Sequence, residues 1–279
     1  MKTLNQYIKE KLIINQRFDE KLIINKNYND SSISPKSFDE LRKIIIDRYN
    51  KLGPGTKQNP IDFNDIDVSN IDSFCDNKGI LYKGIFEETK FKYIDISDWD
   101  VSNVKSMQRI FYNCNKLESV GDLSSWDTSK VINMNSMFYS CEKLKSVGDI
   151  SKWDVSNVTN MEFMFCGCKY FNKDLSGWDV SNVTDMGSMF QECISFNKIP
   201  SNWDVSNVTN MGFMFCNCEN FNQDISCWDV SNVTDMTYMF ESCKSFNQDI
   251  SKWNVSKVLY KTFTFINCPI KEEYKPKFK

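Results

Sequence analysis

The sequence predicts an α/β repeat solenoid, a stack of coils with one short strand and one short helical turn per coil, behind an N-terminal helical cap. Three observations predict it. All seven tryptophans, Trp99, Trp126, Trp153, Trp178, Trp203, Trp228 and Trp253, follow one another at intervals of 27, 27, 25, 25, 25 and 25 residues. Seven of the 11 cysteines, from Cys114 through Cys141, Cys168, Cys193, Cys218 and Cys243 to Cys268, keep the same count. Between them runs W-D-V-S-N-V-T-[ND]-M-x-x-M-F-x-x-C-x-x-F-N-x-D-I-S-x, which residues 153–177, 178–202 and 228–252 follow closely. So short a unit cannot bury its own apolar face, and stacking on its neighbours makes one continuous core.

Each element has its own signal. In the unit from Trp153, Met161, Met164, Phe165 and Cys168 stand at i, i+3, i+4 and i+7, the spacing of one apolar helical face. Thr159 or Asn160 precedes it as a cap. Phe171-Asn172-Lys173-Asp174-Leu175-Ser176 reads as a short extended segment with Phe171 and Leu175 inward. Asp154-Val155-Ser156-Asn157-Val158 makes the return, Asn157 being suited to a turn or an asparagine ladder. One strand and one helical turn per coil give a leucine-rich-repeat-like solenoid. The first two units are two residues longer, with Leu117-Glu118-Ser119-Val120-Gly121-Asp122-Leu123 in place of the later Phe171–Leu175 pattern.

Residues 61–270 form the repeat solenoid, and the flanks differ from it. Residues 1–34 are a leader or docking segment in which Glu10-Lys11-Leu12-Ile13-Ile14-Asn15 recurs as Glu20-Lys21-Leu22-Ile23-Ile24-Asn25. Residues 35–60 hold a capping helix and linker. Ser37-Phe38-Asp39-Glu40 is a capping box before Leu41, Ile44, Ile45 and Tyr49, and Gly53-Pro54-Gly55 ends the helix. Such a helix covers the open first coil. Residues 271–279 are a charged tail over the last one.

The string W-D-V-S-N-V-T-x-M-x-x-M-F-x-x-C-x-x-F-N-x-D-I-S resembles the BspA-type leucine-rich-repeat surface proteins, in their mycoplasma-lipoprotein-like subfamily of unknown function. The resemblance covers roughly residues 61–270. It implies a right-handed solenoid and a role in surface display, adhesion or partner binding, with no reaction and no catalytic residues. It suggests the cell surface, yet the start, Met1-Lys2-Thr3-Leu4-Asn5-Gln6-Tyr7, reads as neither a secretory signal nor a lipidation motif. The Lys-Ile-Asn-rich start is similar to leaders of Bacteroidetes and phage proteins, which makes a virion-associated or intracellular location the alternative.

Composition narrows the functional classes. No histidine is present, so a Ser-His-Asp triad, a Cys-His dyad and histidine-ligated metals are excluded. A formal charge of −3, with both signs mixed along the chain, argues against nucleic acid as a partner. No apolar run approaches the ~20 residues that span a bilayer. The cysteine column is read as small core side chains rather than metal ligands, the pairs Cys166-x-Cys168 and Cys216-x-Cys218 lying two coils apart. The tryptophan column is read as a core ladder rather than a sugar platform. The column Asp122, Asp149, Asp174, Asp224 and Asp249 is read as turn residues rather than a calcium row, since Pro200 interrupts it. No metal, no cofactor and no catalytic residue is expected.

Positions that vary while the scaffold stays fixed point to a binding surface. They are Glu162, Gly187, Gly212 and Thr237; Phe163, Ser188, Phe213 and Tyr238; and Lys152, Gly177, Asn202, Cys227 and Lys252. Phe163, Phe213, Tyr238, Lys152 and Lys252 are the candidates for contact with a protein or glycan. The sequence reading is thus a monomeric, non-catalytic repeat protein of the adhesion or display type. The alternative is a structural spacer, or an interaction protein targeted by its N-terminal segment.

Overall fold

The computed structural model describes residues 33–76 and 82–278. The duplicated Glu-Lys-Leu-Ile-Ile-Asn segments, and with them residues 1–32 of the leader, lie outside the described residues.

Helix α1 spans Phe38–Leu52. The Ser37 side chain accepts the Glu40 amide, and the Glu40 carboxylate accepts the amide of Lys36, one residue before the cap, in place of the Ser37 amide of a capping box. Gly53, at φ 76°, stops the helix. Leu41 and Ile45 are fully buried, and Tyr49 meets the edge of the Phe91 ring at 4.9 Å. The buried Arg48 pairs with Asp65 at 2.6 Å.

After α1 the chain winds in coils that pair in parallel. Strands β1 (Ile61–Asp62) and β4 (Ile94–Asp95) are partners. β2 (Cys75–Asp76) and β3 (Lys83–Gly84) form a small antiparallel pair between them. From there the pairing reduces to one bridging residue per coil, in an unbroken parallel row: Ser73, Ser106, Asn133, Asn160, Asp185, Asn210, Asp235 and Tyr260. A second row, Tyr93, Ser119 and Ser146, ends where the coils shorten by two residues. In the shorter coils a side-chain ladder replaces it. Asn172, Asn197 and Asn222 each accept, through Oδ1, the amide of the equivalent asparagine in the next coil, at 2.9–3.0 Å.

The short helical turn and short strand expected in each coil take other forms. Residues 171–176 are not a strand, for the reason just given. The segment from Met161 to Cys168 is a run of linked turns with two alternating sets of bonds. The amides of Met161, Phe163, Phe165 and Gly167 donate to the carbonyls of Asp185, Gly187, Met189 and Gln191 in the next coil. The intervening amides of Met164, Cys166 and Cys168 close back on Met161, Phe163 and Phe165. Left-handed backbone at Phe163 (φ 57°) and Gly167 (φ 77°) breaks the helix and turns alternate amides along the stack. Both left-handed positions recur from coil to coil, for example at Ser188 and Glu192, Phe213 and Asn217, and Tyr238 and Ser242.

These bonds run one way, so this turn segment offers carbonyls toward the N-terminal edge and amides toward the C-terminal edge, while the amides of Thr184, Thr209 and Thr234 donate the other way, to Thr159, Thr184 and Thr209. At the first edge the carbonyls of Gly84, Ile85 and Glu87 accept from the guanidinium of Arg42 on α1. Such buried groups are costly to leave unpaired.

Inside, each coil sends the same residues to the core. Trp153, Val155, Val158, Met161, Met164, Phe165, Cys168, Phe171 and Leu175 are all buried. Stacked rings carry the packing between coils: Phe138 to Phe165 at 5.6 Å, Phe165 to Phe190 at 5.9 Å, and Trp153 to Trp178 at 6.3 Å. Each such pair adds ~0.5–1.5 kcal/mol beyond burial.

Candidate binding face

The row of bridging residues builds the face on which the aromatic candidates sit. Oδ1 of Asn160, Asp185, Asn210 and Asp235 accepts the amide two residues on, at 2.8–3.0 Å. That turn delivers the next residue, Phe163, Ser188, Phe213 or Tyr238, into the left-handed region. Phe213 stacks on Tyr238 at 4.9 Å, and Tyr238 meets Phe263 at 5.2 Å. Phe163 instead meets Tyr139 edge-on at 5.9 Å, and Tyr139 stacks on Tyr112 at 4.6 Å. The Arg109 guanidinium lies 3.6 Å from the Tyr112 ring centre and is ion-paired with Glu87 at 2.7 Å. Two aromatic files result, separated by the coil of Ser188.

Phe163, Phe213 and Tyr238 are half-buried, because each ring leans on its neighbour; Phe263 is 51 % exposed. The expectation that the whole variable set is exposed is corrected at Gly187, Gly212 and Ser188, which are buried. A Cβ on Gly187 would meet Asn210 Nδ2 at 2.6 Å, so the step between the files is packed closed. Sequence reasoning missed Tyr112, Tyr139, Arg109 and Phe263. Aligning the two longer units to the shorter ones places Tyr112 and Tyr139 in the column of Cys166, beside Phe163.

Lys152 and Lys252 are exposed, and each immediately precedes its tryptophan, Lys152 closing a 3-10 turn over Ile150–Lys152. Three coils, those of Trp178, Trp203 and Trp228, lie between them. The structure brings Phe213 together with Tyr238, and neither lysine with any of the aromatic candidates.

The other columns have assigned partners. All seven tryptophans are buried, and the indole nitrogens of Trp153, Trp178 and Trp253 donate to Leu123, Ile150 and Ile225 carbonyls at 2.8–3.2 Å. The 11 cysteines are free thiols. Burial pushes the Cys166 and Cys216 thiols up to about 12. Cys166 faces Gln191 and Cys216 donates to Glu241, so the two C-x-C pairs point to different neighbours. Asp122, Asp149, Asp174, Asp224 and Asp249 each accept the amide of a serine two residues on, at 2.9–3.1 Å. The break in that column is corrected in one detail. In the register of the coils Ile199 takes the place of Asp174, and Pro200 takes the place of Leu175.

A cavity lined by Leu144, Val147, Tyr170 and Phe171, where a long coil meets a short one, measures about 10 Å³. That is room for about one water molecule. No helix among the described residues is long and apolar enough to cross a membrane.

Compared with known families, residues 80–203 and 193–273 match one described as "Mycoplasma protein of unknown function, DUF285". No curated protein matches the chain.

Proposed function

The chain belongs to the DUF285 family of Mycoplasma proteins of unknown function, and from that premise we propose that it is a non-catalytic binding protein whose coils form a leucine-rich-repeat-like solenoid of the BspA type. Its partner is a protein or glycan, held by the lateral face that carries the two aromatic files. The role is of the adhesion or display kind.

The observation that carries this reading is the file Phe213, Tyr238 and Phe263. Three rings on successive coils stack outside the core, on backbone held left-handed, while the same coils bury other rings within. Non-glycine residues in that region cost roughly 1–2 kcal/mol each, which the surrounding ladder bonds offset. Rigid aromatic groups on a fixed scaffold supply contact area at low ordering cost, as in the anchors of many interfaces. A non-catalytic role is supported by the aspartate column, whose members Asp122, Asp149, Asp174, Asp224 and Asp249 are each engaged by the amide of a serine two residues on.

The test is binding of the full chain to an immobilised panel of oligosaccharides and cell-surface proteins, with the double variant Phe213→Ala/Tyr238→Ala beside it. Loss of binding to a captured ligand by about tenfold or more, with the variant still folded, supports the reading. Capture that is indifferent to both rings, or turnover of a panel member, overturns it.

A further inference from the structure

The one-way bonding of the linked-turn segments leaves amides unmet at the last coil. In the coil before last, Tyr238, Phe240 and Ser242 donate their amides to the carbonyls of Thr262, Thr264 and Ile266. The equivalent amides of the last coil, on Phe263, Phe265 and Asn267, have no acceptor among the described residues. The opposite edge is treated differently, its carbonyls being taken by Arg42.

The same edge is apolar at its surface and basic around it. Leu259 is 72 % exposed, Tyr260 61 %, Phe263 51 % and Ile266 40 %. These are half of the large apolar side chains that stand so exposed among the described residues, gathered on one coil. Residues 251–279 carry seven lysines and two glutamates, in a chain whose formal net charge is −3. The tail meets the last coil at Phe265, with Phe278 at 6.5 Å and Lys275 Nζ 5.7 Å from the ring centre, and buries Ile270 and Pro276, but it leaves Leu259, Tyr260, Phe263 and Ile266 exposed.

We propose that this edge docks an acidic polypeptide segment of another protein, laid along the last coil with carbonyls of alternate residues on the amides of Phe263, Phe265 and Asn267. Apolar side chains of the segment cover Tyr260, Phe263 and Ile266, and its carboxylates face the lysines. Adding a segment to an open edge gives affinity through main-chain bonds and selectivity through side chains. A second copy of this chain is a poor occupant. The same edge would bring amides against amides, and the opposite edge has its carbonyls already bonded to Arg42. The site shares the Phe263 ring with the lateral face but rests on the backbone amides of the last coil, which that reading does not use, so Phe213→Ala separates the two.

The experiment uses the full chain and a fluorescein-labelled peptide that alternates glutamate with valine, beside a counterpart with lysine for glutamate. Binding is read by anisotropy and amide hydrogen exchange by NMR. The glutamate peptide is expected to bind, more tightly at low salt, and to slow exchange at Phe263, Phe265 and Asn267 by about tenfold or more. Leu259→Asp/Ile266→Asp, both surface changes, is expected to abolish this with the fold intact, while Phe213→Ala leaves it unchanged. Any of four results overturns the proposal: no binding by the glutamate peptide, equal binding by the lysine peptide, protection away from these three amides, or their protection by self-association or by anionic lipid vesicles in place of the peptide.

Discussion

The thiol of Cys193 donates a 3.1 Å hydrogen bond to the carbonyl of Phe165 in the preceding coil. Cys168, Cys218 and Cys243 make the same bond to Phe138, Phe190 and Phe215. The Phe165 carbonyl also accepts the Cys168 amide, so the thiol takes its second lone pair. The column is therefore a ladder of donors as well as a filler of small volume. Cys193→Ala removes the bond and leaves a small void, at a cost of about 1–2 kcal/mol. Urea denaturation of the two proteins measures it, and an unchanged midpoint would show that the thiol is only space-filling.

The tryptophan ladder contains an internal control. Trp178 Nε1 donates to the Ile150 carbonyl at 2.8 Å, whereas the buried Trp228 Nε1 has no partner among the described residues. The equivalent acceptor for Trp228 is Pro200, which stands where Leu175 stands one coil earlier. Trp178→Phe loses a bond that Trp228→Phe does not, so the first is expected to be the more destabilising by about 1 kcal/mol. Equal losses in the two melts would mean that Trp228 has found an acceptor.

What the sequence made legible was whatever depends on the period. Trp153, Met161, Met164, Phe165 and Cys168 are buried because stacking places identical positions above one another, and counting finds those. The conformation between them was not legible. Met161, Met164, Phe165 and Cys168 carry helical spacing, yet left-handed Phe163 and Gly167 lie among them. Gly167 aligns with Asn113, Asn217 and Asn267, which tolerate that region, but also with Ser140, Glu192 and Ser242, which do not favour it, so the signal in the column was only partial. The pairing of Phe163 with Tyr139 was hidden because the two stand in different columns, Tyr139 in that of Cys166, so counting by the period does not bring them together. The open amides of Phe263 and Phe265 are backbone groups, invisible to any reading of side chains.

Ser242 tests the left-handed column. It sits at φ 54° with its amide on the Ile266 carbonyl. Ser242→Gly keeps that bond and relieves the steric cost, part of which is returned as unfolded-chain entropy. A gain of about 0.5–1 kcal/mol is expected, and Ser242→Val should lose at least as much. A destabilised glycine variant would show that the backbone there is not left-handed in solution.

Acid should loosen the array. The serine two residues on, through its hydroxyl first and then its amide, holds Asp179, Asp229 and Asp249 below the usual carboxylate value; for Asp174 and Asp224 the amide comes first. A depressed folded-state value means stability that is present above the ordinary value of about 3.9 and is lost as pH falls through the depressed one. Glu162 runs the other way, raised chiefly by burial, but it is one group against many. The melting temperature is expected to fall steadily between about pH 4 and pH 2. A flat profile across that window would remove the aspartate turns from the account of stability.

Removing one coil makes the most demanding test of the architecture. Deleting residues 178–202 joins Gly177 to Trp203. The amides of Met161, Phe163 and Phe165 then face the carbonyls of Asn210, Gly212 and Met214 in place of Asp185, Gly187 and Met189, which now receive them. Nearest-neighbour stacking requires nothing else, so the shortened chain should fold, with a melting temperature somewhat below that of the parent. Two further changes are built into the same deletion. Pro200 leaves, and the Leu175 carbonyl takes its place opposite Trp228, so the orphaned indole gains an acceptor. Ser188 leaves as well, and Phe163 becomes the neighbour of Phe213, which closes the gap between the aromatic files into one run from Tyr112 to Phe263. Circular dichroism and the fluorescence of Trp228 follow the first two effects. Retained or tighter capture of any ligand that depends on Phe213 and Tyr238 follows the third. A chain that unfolds on losing this coil would show that its stability does not come from contacts between adjacent coils.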